Sequence, residues 1–112
     1  MQDVIFSENG RTLTATPTCE IDHHTAKFIR EKIDKALFRT GAEILVLDFS
    51  EVRFMDSSGI GLVMGRYRNL QKLNAQLHIT GTSPQITKVM RLAGIERLAK
   101  LDVGGFKVEN YK

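Results

Sequence analysis

The segment Glu43–Phe49, EILVLDF, constrains the fold more than any other. Ile44, Leu45, Val46 and Leu47 follow one another without polar alternation. That pattern predicts a strand buried on both faces, inside a sheet with helices on either side. The flanking segments repeat the theme. Gln2–Phe6 and Leu13–Thr16 read as short strands, with Ser7-Glu8-Asn9-Gly10 as a turn between them and Pro17 at the end of the second. Ala26, Ile29, Ile33 and Leu37 recur at three- and four-residue steps and predict a helix. Asp22 suits its N-cap, with Ile21 and Ala26 spaced as a hydrophobic staple, and Gly41 suits its left-handed end.

A second helix is predicted from about Ser57 to Asn74. Its inward stripe is Ile60, Val63 or Met64, Tyr67 and Leu70, with Arg66, Arg68 and Lys72 outside it. Gln76–Thr80 follows as a strand. Ser83-Pro84 opens a third helix that turns Ile86, Val89, Met90 and Ala93 inward and stops at Gly94. Ile95–Leu101 reads as a short helix or helical turn, and Val103–Val108 as a last strand. Strands alternating with helices after an opening hairpin predict an α/β domain with a mixed sheet of four or five strands. At 112 residues the chain has room for one core, so residues 1–112 read as one domain.

Composition narrows the function classes. The net charge of +3 is spread along the chain with no aromatic interleaving, which argues against nucleic acid. The apolar runs Ile44–Leu47 and Ile60–Met64 are too short to cross a membrane, and MQDVIFSENG lacks the segments of a leader peptide. A soluble cytoplasmic protein is expected. The single Cys19 reads as a small apolar side chain in a half-buried strand.

The stretch Phe54-Met55-Asp56-Ser57-Ser58-Gly59-Ile60-Gly61 holds the most chemistry. Ser57 or Ser58 falls at a helix N-terminus, where free N–H groups and the dipole favour an anion. Gly59 and Gly61 are unfavourable in a first turn unless something approaches closely. One reading is a plain serine cap with glycines that relieve crowding. The other is a serine presented for phosphorylation. The spacing fits neither a Walker loop, nor a dinucleotide fingerprint, nor a nucleophile elbow. Asp22-His23-His24 at the other helix start makes a poor metal chelate, because its side chains point different ways. A cap, or contact with a partner, fits better. His78 reads as a packed strand residue.

Glu20-Ile21-Asp22-His23-His24-Thr25-Ala26 and FMDSSGIGLVMGRYRNL, from Phe54 to Leu70, closely resemble the bacterial anti-sigma factor antagonists of the STAS domain family, the sporulation type above all. The resemblance implies a single STAS domain, α/β with about four helices, no catalytic activity and no cofactor or metal. It implies that the unphosphorylated form binds an anti-sigma factor with serine kinase activity and so releases the sigma factor. The kinase would phosphorylate Ser57, and a metal-dependent Ser/Thr phosphatase would reverse it. By the same match Asp22, His23, Asp56, Ser58, Gly59, Ile60 and Gly61 would form the partner-binding surface. Two alternatives stand beside this reading. One is a STAS module in another signalling or transport complex. The other is a small serine hydrolase, with Ser57 as nucleophile and His23 or His24 as base, for which no orienting third group is evident.

Overall fold

The computed structural model describes residues 3–101. Strands β1 (Val4–Asn9) and β2 (Thr12–Pro17) form an antiparallel hairpin. Helix α1 (His23–Thr40), strand β3 (Ile44–Asp48), helix α2 (Ser57–Lys72), strand β4 (Gln76–Thr80), helix α3 (Pro84–Leu92), a 3-10 turn at Ile95–Arg97 and strand β5 (Lys100–Leu101) follow in turn. The five strands lie in sequence order, and every pairing after the hairpin is parallel.

The hairpin turns later than expected. Asn9 pairs with Thr12, so only Gly10 and Arg11 form the turn. Gly10 takes a left-handed φ of 62°, which glycine adopts without steric cost. Ser7 to Asn9, expected in the turn, are the end of the first strand.

The strand order overturns one expectation outright. Each crossover steps one place in the same direction, from β2 to β3 to β4 to β5. Right-handed crossovers therefore put α1, α2 and α3 on the same face. A second helical layer would need the strand order to reverse. Leu45 and Leu47 of β3 are fully buried, whereas Ile44, Val46 and Asp48 are only half-buried. Leu13, Ala15, Leu77, Ile79 and Leu101 share the buried face with them. Thr12, Thr14 and His78 share the other.

The helix caps follow local chemistry. The Asp22 carboxylate accepts from the amides of His24 and Thr25 at 2.9 Å each, and the Thr25 hydroxyl accepts from the Asp22 amide at 3.0 Å. This reciprocal capping box satisfies N–H groups that a helix start leaves unpaired. Gly41, at φ 63°, ends α1. Ser83 caps α3, with Pro84 at its first position.

Two helix faces differ from expectation. In α2 the buried residues are Gly59, Leu62, Val63, Arg66 and Leu70, so the stripe is rotated by about one residue. Ile60 and Tyr67 are half-buried, and Arg66, expected in solvent, is 5 % exposed. In α3, Ile86, Thr87 and Met90 are buried, whereas Val89 is half-buried and Ala93 exposed. Of the two readings of Ile95–Leu101 the helical turn holds, as a 3-10 turn at Ile95–Arg97, because Lys100 and Leu101 pair with His78 and Ile79. The described residues thus hold three α-helices. The expected strand Val103–Val108 lies outside them.

Candidate functional site

The β2–α1 and β3–α2 connections leave the same end of the sheet and are joined there. Ile21 and Met55 form a parallel bridge, and the Asp56 amide donates to the Ile21 carbonyl at 3.3 Å. Both side chains are buried, so two apolar anchors pin the loops beneath the polar residues that follow them. The Ser83 hydroxyl ties in the third connection, donating to the Arg53 carbonyl at 2.8 Å. Asp22, His23 and the start of α2 therefore meet on one surface.

The cap of α2 is Asp56, in place of the expected serine cap. Its carboxylate accepts from the Ser58 amide at 2.8 Å and from the Ser58 hydroxyl. Ser58 is thereby engaged. Ser57, at the first helical position, is exposed, and its hydroxyl has no hydrogen bond among the described residues. The Ser58 hydroxyl, and then its amide, hold the Asp56 carboxyl below the usual carboxylate range, against a weaker opposing push from burial and from Asp22. His23 adds a small pull in the same downward direction. Asp22 is lowered chiefly by the Thr25 amide. Each carboxylate is thus held ionised by donors of its own helix start, and the two lie close enough to feel each other.

The glycines divide. Gly59 is buried, and a Cβ there would stand 2.5 Å from Met55 Sδ and 2.9 Å from its Cγ. Its missing side chain seats Met55. Gly61 is exposed, and a Cβ there would meet nothing within 4 Å. No contact among the described residues requires glycine at that position. Ile60 is half-buried against the core.

His24 stacks edge-on against Phe28, with ring centroids 5.4 Å apart. No hydrogen bond joins His23 or His24 to Ser57 among the described residues, so the base–nucleophile contact of a hydrolase is not made there. No group of three or more His, Cys, Asp and Glu among the described residues is placed to hold a metal. Cys19 lies in the β2–α1 connection, outside the strand expected for it. Its Sγ is 3.9 Å from the Asp3 carbonyl, and burial, followed by nearby carboxylates, pushes its thiol upward, away from a reactive thiolate. Phe54, two residues before the cap, is 61 % exposed. In the sequence it is one member of the FMDSSGIG motif. Its alternation with buried Met55 is the signal that turns it outward.

No described helix is long and apolar enough to cross a membrane. The family model for the STAS domain matches residues 4–104. The anti-sigma F factor antagonist of Paenibacillus polymyxa is 30% identical over 79 residues, 70% of this chain and 68% of that protein. The chain spans about two thirds of the length of the curated relatives it matches. The anti-sigma factor antagonist SpoIIAA in its unphosphorylated form superposes with a TM-score of 0.76 at 31% identity, over 88% of this chain and 86% of that one. The Bacillus cell fate determinant SpoIIAA in its phosphorylated form superposes at 0.69 and 31% identity, over 88% and 89%. A single α/β domain with a five-stranded mixed sheet is the architecture they share with this chain. On the extent of the family match and on this fold, the chain belongs to the STAS domain family.

Proposed function

We propose that this chain is an anti-sigma factor antagonist, a binding module with no catalytic activity of its own, switched by phosphorylation of Ser57. The observation that carries the reading is the division of labour at the start of α2. Asp56 caps the helix and engages Ser58, which leaves the Ser57 hydroxyl exposed. A kinase can reach such a hydroxyl without opening the fold. Relatives of this family are named as anti-sigma factor antagonists, and one of them is known in a phosphorylated and an unphosphorylated form.

The docking face in this reading is formed by Asp22, His23, Asp56, Ser58, Ile60 and Gly61 around Ser57, with Gly59 acting from beneath by seating Met55. Bare Gly61 lets a partner main chain approach α2. The partner is an anti-sigma factor with serine kinase activity, and a metal-dependent Ser/Thr phosphatase restores the serine. Phosphorylation adds about −1.5 to −2 charge next to two carboxylates already held ionised. Desolvating that charge against a partner costs several kcal/mol without a matching cation. The module is a single domain over residues 1–112 that works in the cytoplasm, away from membrane and nucleic acid.

The test compares dissociation constants of unphosphorylated chain, Ser57-phosphorylated chain and Ser57→Ala for the anti-sigma kinase recovered on the unphosphorylated chain in the presence of ADP. The serine form and Ser57→Ala should bind alike, and the phosphoserine form at least a hundredfold more weakly. Equal affinities for all three would refute the switch.

A further inference from the structure

Beside Ser57, the first half of α1 and residues 58–68 of α2 border a groove of about 490 Å³. Among the described residues four cations line it, Lys27 and Arg30 from α1 and Arg66 and Arg68 from α2, and no carboxylate does. Gly61 and Gly65 form part of its wall, and a Cβ on either would meet nothing within 4 Å, so the groove is open to a ligand. Ser58 and His23 also border it, which makes it continuous with the docking face.

Arg66 is the feature that a structural role leaves unexplained. It is 5 % exposed, yet its Nε and Nη1 are buried without a hydrogen bond among the described residues. Its one ion pair among those residues is with Asp34, whose Oδ1 lies 3.0 Å from Nε but out of line for a hydrogen bond. That same oxygen already accepts from Asn69 Nδ2 at 3.2 Å. A buried guanidinium normally has its donors satisfied, because orphan N–H groups and unpaired buried charge are both unfavourable. Burial, outweighing the attraction of Asp34, disfavours its charge, and Arg30 and Arg68 add repulsion. No ion pair of Lys27, Arg30 or Arg68 is found among the described residues to offset this.

We propose that this groove is an oxyanion-binding subsite, which takes a carboxylate or phosphate group from a ligand docked beside α2. A guanidinium fork matches the paired oxygens of either group. An incoming oxyanion would neutralise the crowded cations that line the groove. The site rests on the docking face proposed above only for the source of the anion, which is either an acidic side chain of the partner or the phosphate of a small ligand.

The experiment is an amide-resolved NMR titration of the full chain with sodium phosphate and, separately, with sodium acetate, at ionic strength held constant with sodium chloride. Saturable shifts at Ala26, Arg30, Gly61 and Gly65 are expected, with affinity at least fivefold weaker in Arg66→Gln. Because Arg66 is buried, exposed Arg68→Gln serves as the second variant and should weaken binding about threefold, while Lys35→Gln, outside the groove, leaves it unchanged. Saturation by phosphate alone assigns the subsite to a phosphate ligand, and tighter saturation by acetate than by phosphate assigns it to a partner carboxylate. Linear shifts with both anions, or equal affinity in wild type and Arg68→Gln, would overturn the subsite. No partner is present in the titration, so its failure leaves the Ser57 switch standing. Equal partner affinity for the serine and phosphoserine forms would sink the switch and leave the subsite standing.

Discussion

The Asp56 amide donates to the Ile21 carbonyl, and that one main-chain bond joins two motifs more than thirty residues apart. The residue after Ile21 caps α1, and Asp56 itself caps α2. Two helix starts, each with an ionised aspartate, are thus locked side by side by backbone, with Met55 and Ile21 buried beneath them. The proposed docking face owes its shape to this bridge.

Removing the cap should weaken α2 without loosening the bridge. Asp56→Ala loses the acceptor for the Ser58 amide and hydroxyl. A cost of about 1 kcal/mol is expected, with Asp56→Asn retaining most of the cap. Urea denaturation measures both variants. Unchanged stability in Asp56→Ala would show that the cap is dispensable.

Gly59 and Gly61 should respond in opposite directions to the same methyl group. Gly59→Ala drives a Cβ into Met55 Sδ, Cγ and Cβ, which are held in the core. A loss of about 1–3 kcal/mol follows from overpacking. Gly61→Ala enters open space on a helix and should stabilise by roughly 0.5–1 kcal/mol. The same variant should bind the anti-sigma partner more weakly. Stability from denaturation and affinity from calorimetry separate the two effects.

Acid should destabilise the chain partly through its two caps. Folding lowers the Asp22 and Asp56 carboxyls below their ordinary values. Their contribution is therefore complete above the unfolded value of about 3.9 and is lost as pH falls through the lower folded values. Asp22→Asn with Asp56→Asn keeps both caps but removes the titration. The fall in the urea midpoint between roughly pH 5 and 2.5 should be shallower in this double variant than in wild type. Parallel curves would exclude the caps as its source.

Asp34 should matter more than a surface carboxylate. It is the ion-pair partner of buried Arg66. Asp34→Ala leaves a guanidinium in the core with no counter-ion and should cost about 2 kcal/mol, below the range for a fully buried pair because Asp34 is itself 37% exposed. Asp34→Ala with Arg66→Met should recover most of that loss. A double-mutant cycle in guanidinium chloride measures the coupling, and strictly additive losses would deny it.

Much of the local structure was legible in the residues. The Asp22 cap, the Gly41 end, strand Gln76–Thr80 and the Ser83-Pro84 helix start all lie where sequence places them. Each depends on groups within a few residues of one another, so the order of those residues carries the information. The two motifs, with Ser57 at a helix start, were legible for the same reason.

The tertiary structure decided the rest. A run of four apolar residues in β3 reads as buried on both faces, yet only Leu45 and Leu47 are, because unreversed strand order puts every crossover helix on one side. Arg66 reads as a solvated cation, yet it is buried beside Asp34 from the neighbouring helix, a partner that periodicity along α2 does not contain. A serine at the start of α2 reads either as a cap or as a hydroxyl held out, and the structure gives the cap to Asp56 and leaves the Ser57 hydroxyl exposed. That the Asp22 and Asp56 loops share one edge follows from each succeeding a parallel strand, but the bridge that joins them depends on strand order and register.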